Sequence, residues 1–153
     1  MVSAALSLKL RPAGDDDVGW LVSLRNELAS YFLSQDVATS VQTHRLLAAS
    51  KTYIVEQTSE GPIASFAFYN ADGVEVEFGR FMVVRGRHGQ GLGHSVLTMA
   101  LEEAWILGFR RVRLVVRADN DVARSLYLDV GFRQEVQLNG TIEMWRDLKC
   151  CQL

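Results

Sequence analysis

Val83-Val84-Arg85-Gly86-Arg87-His88-Gly89-Gln90-Gly91-Leu92-Gly93 joins an alternating, largely apolar segment to an amphipathic one, and four glycines fall inside the junction. Consecutive backbone N–H groups in such a turn, added to the positive end of the helix that follows, form an anion site without needing a charged side chain. Glycine also favours a plain strand-to-helix turn, and that reading stays open on this stretch alone. Two phosphate motifs fit these residues poorly. A mononucleotide loop needs Lys and then Ser or Thr after its last glycine, whereas Leu92 follows Gly91. The dinucleotide fingerprint needs a glycine three places after its second one, and His94 stands three places after Gly91. ATP, GTP and NAD are disfavoured.

The elements on either side follow from periodicity. Upstream, residues 53–56, 63–69 and 74–84 alternate as three strands, linked by a turn at Ser59-Glu60-Gly61-Pro62 and by Asp72-Gly73. Before them, residues 6–11 read as a half-buried strand ended by Pro12-Ala13-Gly14. Asp15 to Asp17 then offer an acidic cap to a helix whose apolar stripe is Trp20, Leu21, Leu24, Leu28 and Phe32, and a shorter helix spans 40–49. Downstream, a helix over 91–107 carries Val96, Leu97, Ala100 and Ala104 on one face. A strand over 111–116 and a helix over 120–130 closed by Gly131 come next, then a hairpin of 132–137 and 142–148 around Asn139-Gly140. The order β α α β β β α β α β β predicts an α/β (α+β) fold, with a mixed, largely antiparallel central sheet flanked by helices.

At 153 residues the chain fits one domain over 1–153, large enough to bury about 70 % of its unfolded surface, with no internal repeat and no break in composition. Apolar residues make up 48 % and charged residues 22 %, with only two prolines, which excludes a disordered chain. The net charge of −2 gives no global attraction for nucleic acid, and no apolar run reaches the length of a membrane span. The cluster Arg110, Arg111 and Arg113 lacks the interleaved aromatics of a nucleic-acid surface. The opening MVSAALSLKL lacks the charged start of a secretory signal, and the expected compartment is the cytoplasm. Cys150 and Cys151 are adjacent, so they neither staple the fold nor match metal-ligand spacing, and no metal is expected. Cys150-Cys151-Gln152-Leu153 formally matches a prenylation box. Gln152 stands where an aliphatic residue is usual and no polybasic stretch precedes it, so a frayed tail is the better reading.

A second segment, Asp119-Asn120-Asp121-Val122-Ala123-Arg124-Ser125-Leu126-Tyr127 followed by Gly131-Phe132, narrows the reading. It is similar to the late strand-loop-helix motif of the GNAT superfamily of N-acetyltransferases, with Asn, Ala, Leu-Tyr and Gly-Phe at matching spacings. The glycine-rich turn resembles the pyrophosphate loop of the same family, whose pattern of Gln or Arg, two residues, Gly, one residue, then Gly or Ala falls here on His88, Gly91 and Gly93. His88 departs from the usual first residue, which leaves the backbone cradle intact and removes a side-chain contact that Arg85 or Arg87 can replace. The two segments cover residues 74–132; outside them only the element order agrees, which is a fold-level analogy.

The resemblance implies an acyl-CoA N-acyltransferase fold and an acyltransferase that moves acetyl from acetyl-CoA to an amine, by direct transfer in a ternary complex. It implies a pantetheine arm lying in a splay between the strand ending at Val84 and the strand ending at Arg117. Backbone of Met82, Val83 and Val84 would pair with that arm, and His88, Gly89, Gln90, Gly91, Leu92 and Gly93 would hold the pyrophosphate. Asn120, Arg124 and Tyr127 complete the cofactor set, with Arg117 as a further phosphate candidate. Tyr127 would protonate the departing CoA thiolate. For the base the candidate is Glu77, about six residues upstream of the cofactor-binding backbone, on a face shared by Glu75, Glu77, Gly79, Phe81 and Val83. Each role has a bland counterpart: Asn120 as a helix cap, the arginines and Glu77 as solvated surface, Tyr127 as a core aromatic. Glu75, His44, His94 and ordered water remain alternative bases. The acceptor is expected to be a small amine, with amino sugars and their nucleotides as one class, contacted around residues 31–36. A protein N-terminal acetyltransferase and a non-catalytic acyl-CoA-binding module stay open, as does a monomer or a homodimer.

Overall fold

A computed structural model describes residues 7–34, 36–87 and 91–149. The predicted strand at 6–11 is β1 (Leu8–Pro12), followed by helices α1 (Val18–Glu27) and α2 (Ser40–Ala49). The meander is β2 (Lys51–Gln57), β3 (Gly61–Asp72) and β4 (Glu75–Val83), and α3 (Leu92–Ile106) connects it to β5 (Arg111–Arg117). Helix α4 (Asp121–Asp129) and the hairpin β6 (Arg133–Leu138) and β7 (Thr141–Asp147) complete the order read from the sequence. All seven strands form one sheet in the order β1-β2-β3-β4-β5-β7-β6, antiparallel throughout except for β4 beside β5. The predicted opening residues before position 7 and the Cys150 to Leu153 tail lie outside the described residues.

Each face of the sheet buries a different layer. Val96, Leu97, Ala100 and Ala104 of α3, the face read from the sequence, have no exposed surface and pack on Phe66, Phe78 and Val112. A fully buried Leu or Val contributes about 1.5–3 kcal/mol, so this layer anchors the connection from β4 to β5. On the opposite face, Leu21, Leu24 and Leu28 cover Ile54 and Met82. In the hairpin, Asn139 and Gly140 both hold positive φ, 53° and 79°, as a two-residue primed turn requires.

Two local expectations are corrected. The stripe assigned to one helix up to Phe32 is broken, since α1 stops at Glu27 and Phe32 is extended at φ −96°, ψ 158°. Tertiary bonds fold the chain back there. Asn26 exchanges two hydrogen bonds with the Ala38 backbone, at 3.2 and 2.7 Å, while Arg25 donates to the Ser34 carbonyl and lies 4.0 Å over the Phe32 ring. The acidic cap also differs from its sequence reading. Asp15–Asp17 form a single 3-10 turn, and only Asp17 acts as a cap partner, accepting from the Gly14 N–H at 2.8 Å while Arg11 grips it at 2.9 and 2.8 Å.

Candidate functional site

Among the described residues β4 and β5 pair only at Glu75, Val76 and Glu77 against Arg111, Val112 and Arg113, and then diverge. A bulge accompanies the divergence. Gly79 faces Ala67 and Met82 faces Ser65, so β4 spends one more residue than β3 over this span, and Arg80 takes up φ 48°. A bulge bends its strand and re-aims side chains. The splay opens a cleft of ≈ 820 Å³. Its walls come from residues 78–83 of β4 and 114–117 of β5, from Asn120, Leu126 and Tyr127 around α4, and from residues 31–34 on the other side.

Tyr127 is 7 % exposed at the wall of this cleft, edge-on to Phe78 with ring centroids 6.5 Å apart. Its hydroxyl has no hydrogen-bond partner among the described residues. Burial, assisted by the neighbouring Tyr69, pushes its pKa above the ordinary phenol value, so it holds its proton. Tyr69 lies across Gly79, where a Cβ would meet its hydroxyl oxygen at 1.9 Å. Burial and then the charge of Glu77 raise the Tyr69 pKa, against the opposing charge of Arg80. The Arg80 guanidinium stands 4.9 Å over the Tyr69 ring and donates to Ser50 Oγ at 2.7 Å.

The residues singled out in the sequence divide between the cleft and its surroundings. Met82, Val83, Gly93, Asn120, Arg117 and Tyr127 line it, as do Tyr31 to Ser34 of the expected acceptor region. Gly91 caps α3 at φ 75°, a left-handed conformation suited to glycine, and Leu92 beside it turns its side chain into the core with no exposure. His88, Gly89 and Gln90, together with Gln35, lie outside the described residues. Val84 donates its N–H to Ile63 at 2.9 Å and is not part of the lining. Asn120 caps α4, accepting from the Ala123 N–H at 3.2 Å. Arg117 grips Asp119 at 3.0 and 2.7 Å and also donates to the Ser30 carbonyl. Arg124 lies outside the lining, bonded to the Ala118 carbonyl at 2.9 Å and to Gln134 at 3.1 Å.

The shared face proposed for β4 is corrected by the bulge. Glu77 and Gly79 stay on the face of Tyr69 and Ala67, whereas Phe81 crosses to the Phe78 side, 5.5 Å away ring to ring. Glu77 itself is not in the cleft lining. It sits where β4 and β5 are still paired, beside Tyr69, and accepts from Asn70 Nδ2 at 3.1 Å. Glu75 is ion-paired to Arg113 at 2.6 Å. His44 lies 3.4 Å from Asp15, and His94 is exposed on α3. Sequence reading missed Tyr69 and Arg80. One signal pointed to the last: a glycine inside a strand marks a bulge or a close approach, and Gly79 marks both.

The sequence matches the model of the Acetyltransferase (GNAT) family over residues 21–132. No curated protein matches it. Solved structures with the same fold include a spermidine N-acetyltransferase from Vibrio cholerae in complex with CoA and spermine, 20 % identical, covering 92 % of this chain and 95 % of that one at a TM-score of 0.80. The ribosomal-protein-alanine N-acetyltransferase of Brucella melitensis is 16 % identical, with 92 % and 99 % covered and a TM-score of 0.76. The yncA protein of Salmonella typhimurium, solved with its cofactor acetyl-CoA, is 18 % identical, with 93 % and 94 % covered and a TM-score of 0.77.

Proposed function

Because the chain belongs to the acetyltransferase (GNAT) family and is an acyltransferase, we propose that it moves acetyl from acetyl-CoA directly to the amine of a small molecule held in the β4–β5 cleft. The observation that carries this reading is the splay itself: two parallel strands that part after three paired residues, with a proton-holding phenol on the wall of the gap. The volume of ≈ 820 Å³ lies within the range of small-molecule sites. CoA complexes of two proteins with this fold support the choice of cosubstrate.

In this reading the backbone of Met82 and Val83 aligns the pantetheine arm. The start of α3 at Gly91 and Gly93, together with the loop before it, holds the pyrophosphate on backbone N–H groups. Asn120 steadies the arm while capping α4. The amine lone pair attacks the thioester carbonyl, the C–S bond breaks as the intermediate collapses, and Tyr127 gives its proton to the sulfur. The proton lost by the amine passes through water, with Glu77 as its acceptor beside Tyr69. The products are the amide and CoA.

The test is CoA release from acetyl-CoA across a panel of amino sugars, amino acids, polyamines and peptides, alongside thermal denaturation. Acetyl-CoA should raise Tm, because it binds only the folded state. Gly91→Asp should abolish the shift by setting a carboxylate against the pyrophosphate. An undiminished shift in that variant removes the phosphate-loop assignment, and no CoA release with any amine removes the transfer reaction.

A further inference from the structure

A second cavity, of ≈ 420 Å³, lies beneath α1 and α2 on the sheet face that carries Ile54 and Met82. It adjoins the cleft, since Arg25, Ser34, Leu46, Arg80 and Met82 line both. The charged groups on its walls are Arg25, Arg45, Arg80 and one carboxylate, Asp36. Two of these arginines are held in place by neutral groups. Arg80 has Ser50 Oγ and the Tyr69 ring, and no carboxylate partner among the described residues. Arg25 has the Ser34 carbonyl and the Phe32 ring, while among the described residues its Nη1 is buried without a partner and Asp36 is the one acid close enough to act on it. Burial lowers the pKa of both guanidiniums, as expected for charge with too little compensation.

We propose that the acceptor amine carries an anionic group, a carboxylate or a phosphonate, which Arg25 and Arg80 hold at the junction of the two cavities while the amine faces the thioester. This rests on the acetyl-transfer reading above. A guanidinium offers five donors in a planar fork that matches these anions in two-point contact. An oxyanion also supplies an acceptor for Arg25 Nη1, which has none among the described residues, and an opposite charge for the half-buried Arg80. A polyamine brings further positive charge to the same walls and leaves Arg25 Nη1 unsatisfied.

Matched amines decide the matter. Steady-state CoA release is compared for α-, β- and γ-amino acids, their carboxamides, aminoalkylphosphonates of the same lengths, and spermidine. One anionic member should exceed its neutral counterpart in kcat/KM by about 10- to 10²-fold, as for a charge-assisted hydrogen bond lost. The carboxylate and phosphonate arms tell which anion fits. Arg80→Gln and Arg25→Gln should each raise KM for that amine at least about tenfold with kcat held within about threefold. KM for the carboxamide should stay put, a separation that a purely structural role does not produce. Retained acetyl-CoA stabilisation shows that the variants are folded, and Arg80→Lys and Arg25→Lys should recover part of the affinity.

Carboxamides or spermidine turned over as well as the anionic amines overturn the proposal. So does a glutamine variant that raises KM for charged and neutral amines alike, or a protein stabilised by acetyl-CoA that acetylates no anionic amine. A protein that acetyl-CoA fails to stabilise and that releases no CoA overturns the acetyl-transfer reading, and this inference falls with it.

Discussion

Tyr127→Phe separates catalysis from packing. The ring contacts that hold the residue, to Phe78 at 6.5 Å and Phe132 at 5.7 Å, survive the change. Only the hydroxyl is lost, and it has no hydrogen-bond partner among the described residues. Burying an unbonded hydroxyl costs about 1–3 kcal/mol when desolvation is complete. This one borders a cleft, so removal relieves about 1 kcal/mol or less, and Tm should hold or rise by up to about 4 °C. Turnover should move the other way. A lost general acid costs about 10²- to 10⁴-fold, equivalent to about 2.7–5.4 kcal/mol of barrier. The assay pairs CoA release under saturating acetyl-CoA with the Tm shift that acetyl-CoA induces, which should be unchanged. The raised pKa keeps the phenol protonated from pH 6 to 9, so kcat should show no basic limb from Tyr127 in that range. A phenylalanine variant with undiminished kcat refutes the proton-donor role. A fall in activity accompanied by a lower Tm and a lost acetyl-CoA shift assigns the residue to packing instead.

Gly79→Ala sets a Cβ 1.9 Å from the Tyr69 hydroxyl oxygen and 2.8 Å from its Cζ, so the ring must leave its place beneath Arg80. Overpacking of this kind costs about 1–3 kcal/mol, and Tm should fall by about 2–12 °C. In a Tyr69→Ala background the same glycine substitution should cost much less Tm, and an unaltered Tm in the single variant contradicts the contact. Asp17→Asn removes the carboxylate that Arg11 and the Gly14 N–H hold below its ordinary pKa. With Arg11 about one-third exposed, the discounted loss is about 1–2 kcal/mol, read as a Tm drop of about 2–8 °C near pH 7. Below about pH 4 the unfolded chain binds the proton first, so the parent loses this stability as pH falls and the two melting curves should converge. Glu77→Gln should slow the reaction near pH 7 and recover at higher pH, where solvent deprotonates the amine. Equal rates from pH 6 to 9 with the true acceptor exclude Glu77 as the base.

The order of the elements and several of their ends were legible in the chain because they arise within one or two turns of it. The capping box of Thr39 and Gln42, at 3.2 Å in each direction, starts α2 where the sequence analysis begins a helix, and the Asn139-Gly140 turn closes the last hairpin. The two motifs likewise carried Tyr127, Asn120 and Gly91 to places that local chemistry explains. What the linear pattern could not hold was register. One extra residue at Gly79 to Met82 sends Phe81 to the far face, ends the two-residue period assumed for Glu77, and turns Arg80 toward Ser50 and Tyr69. The early end of α1 has the same origin, since Asn26 and Arg25 bond to residues 9 to 12 positions away. Alternation and capping are local free energies, repeated wherever the residues recur. A bulge, a splay or a pair of arginines on one cavity wall is decided by which distant segments pack together, and only the folded chain brings those segments into contact.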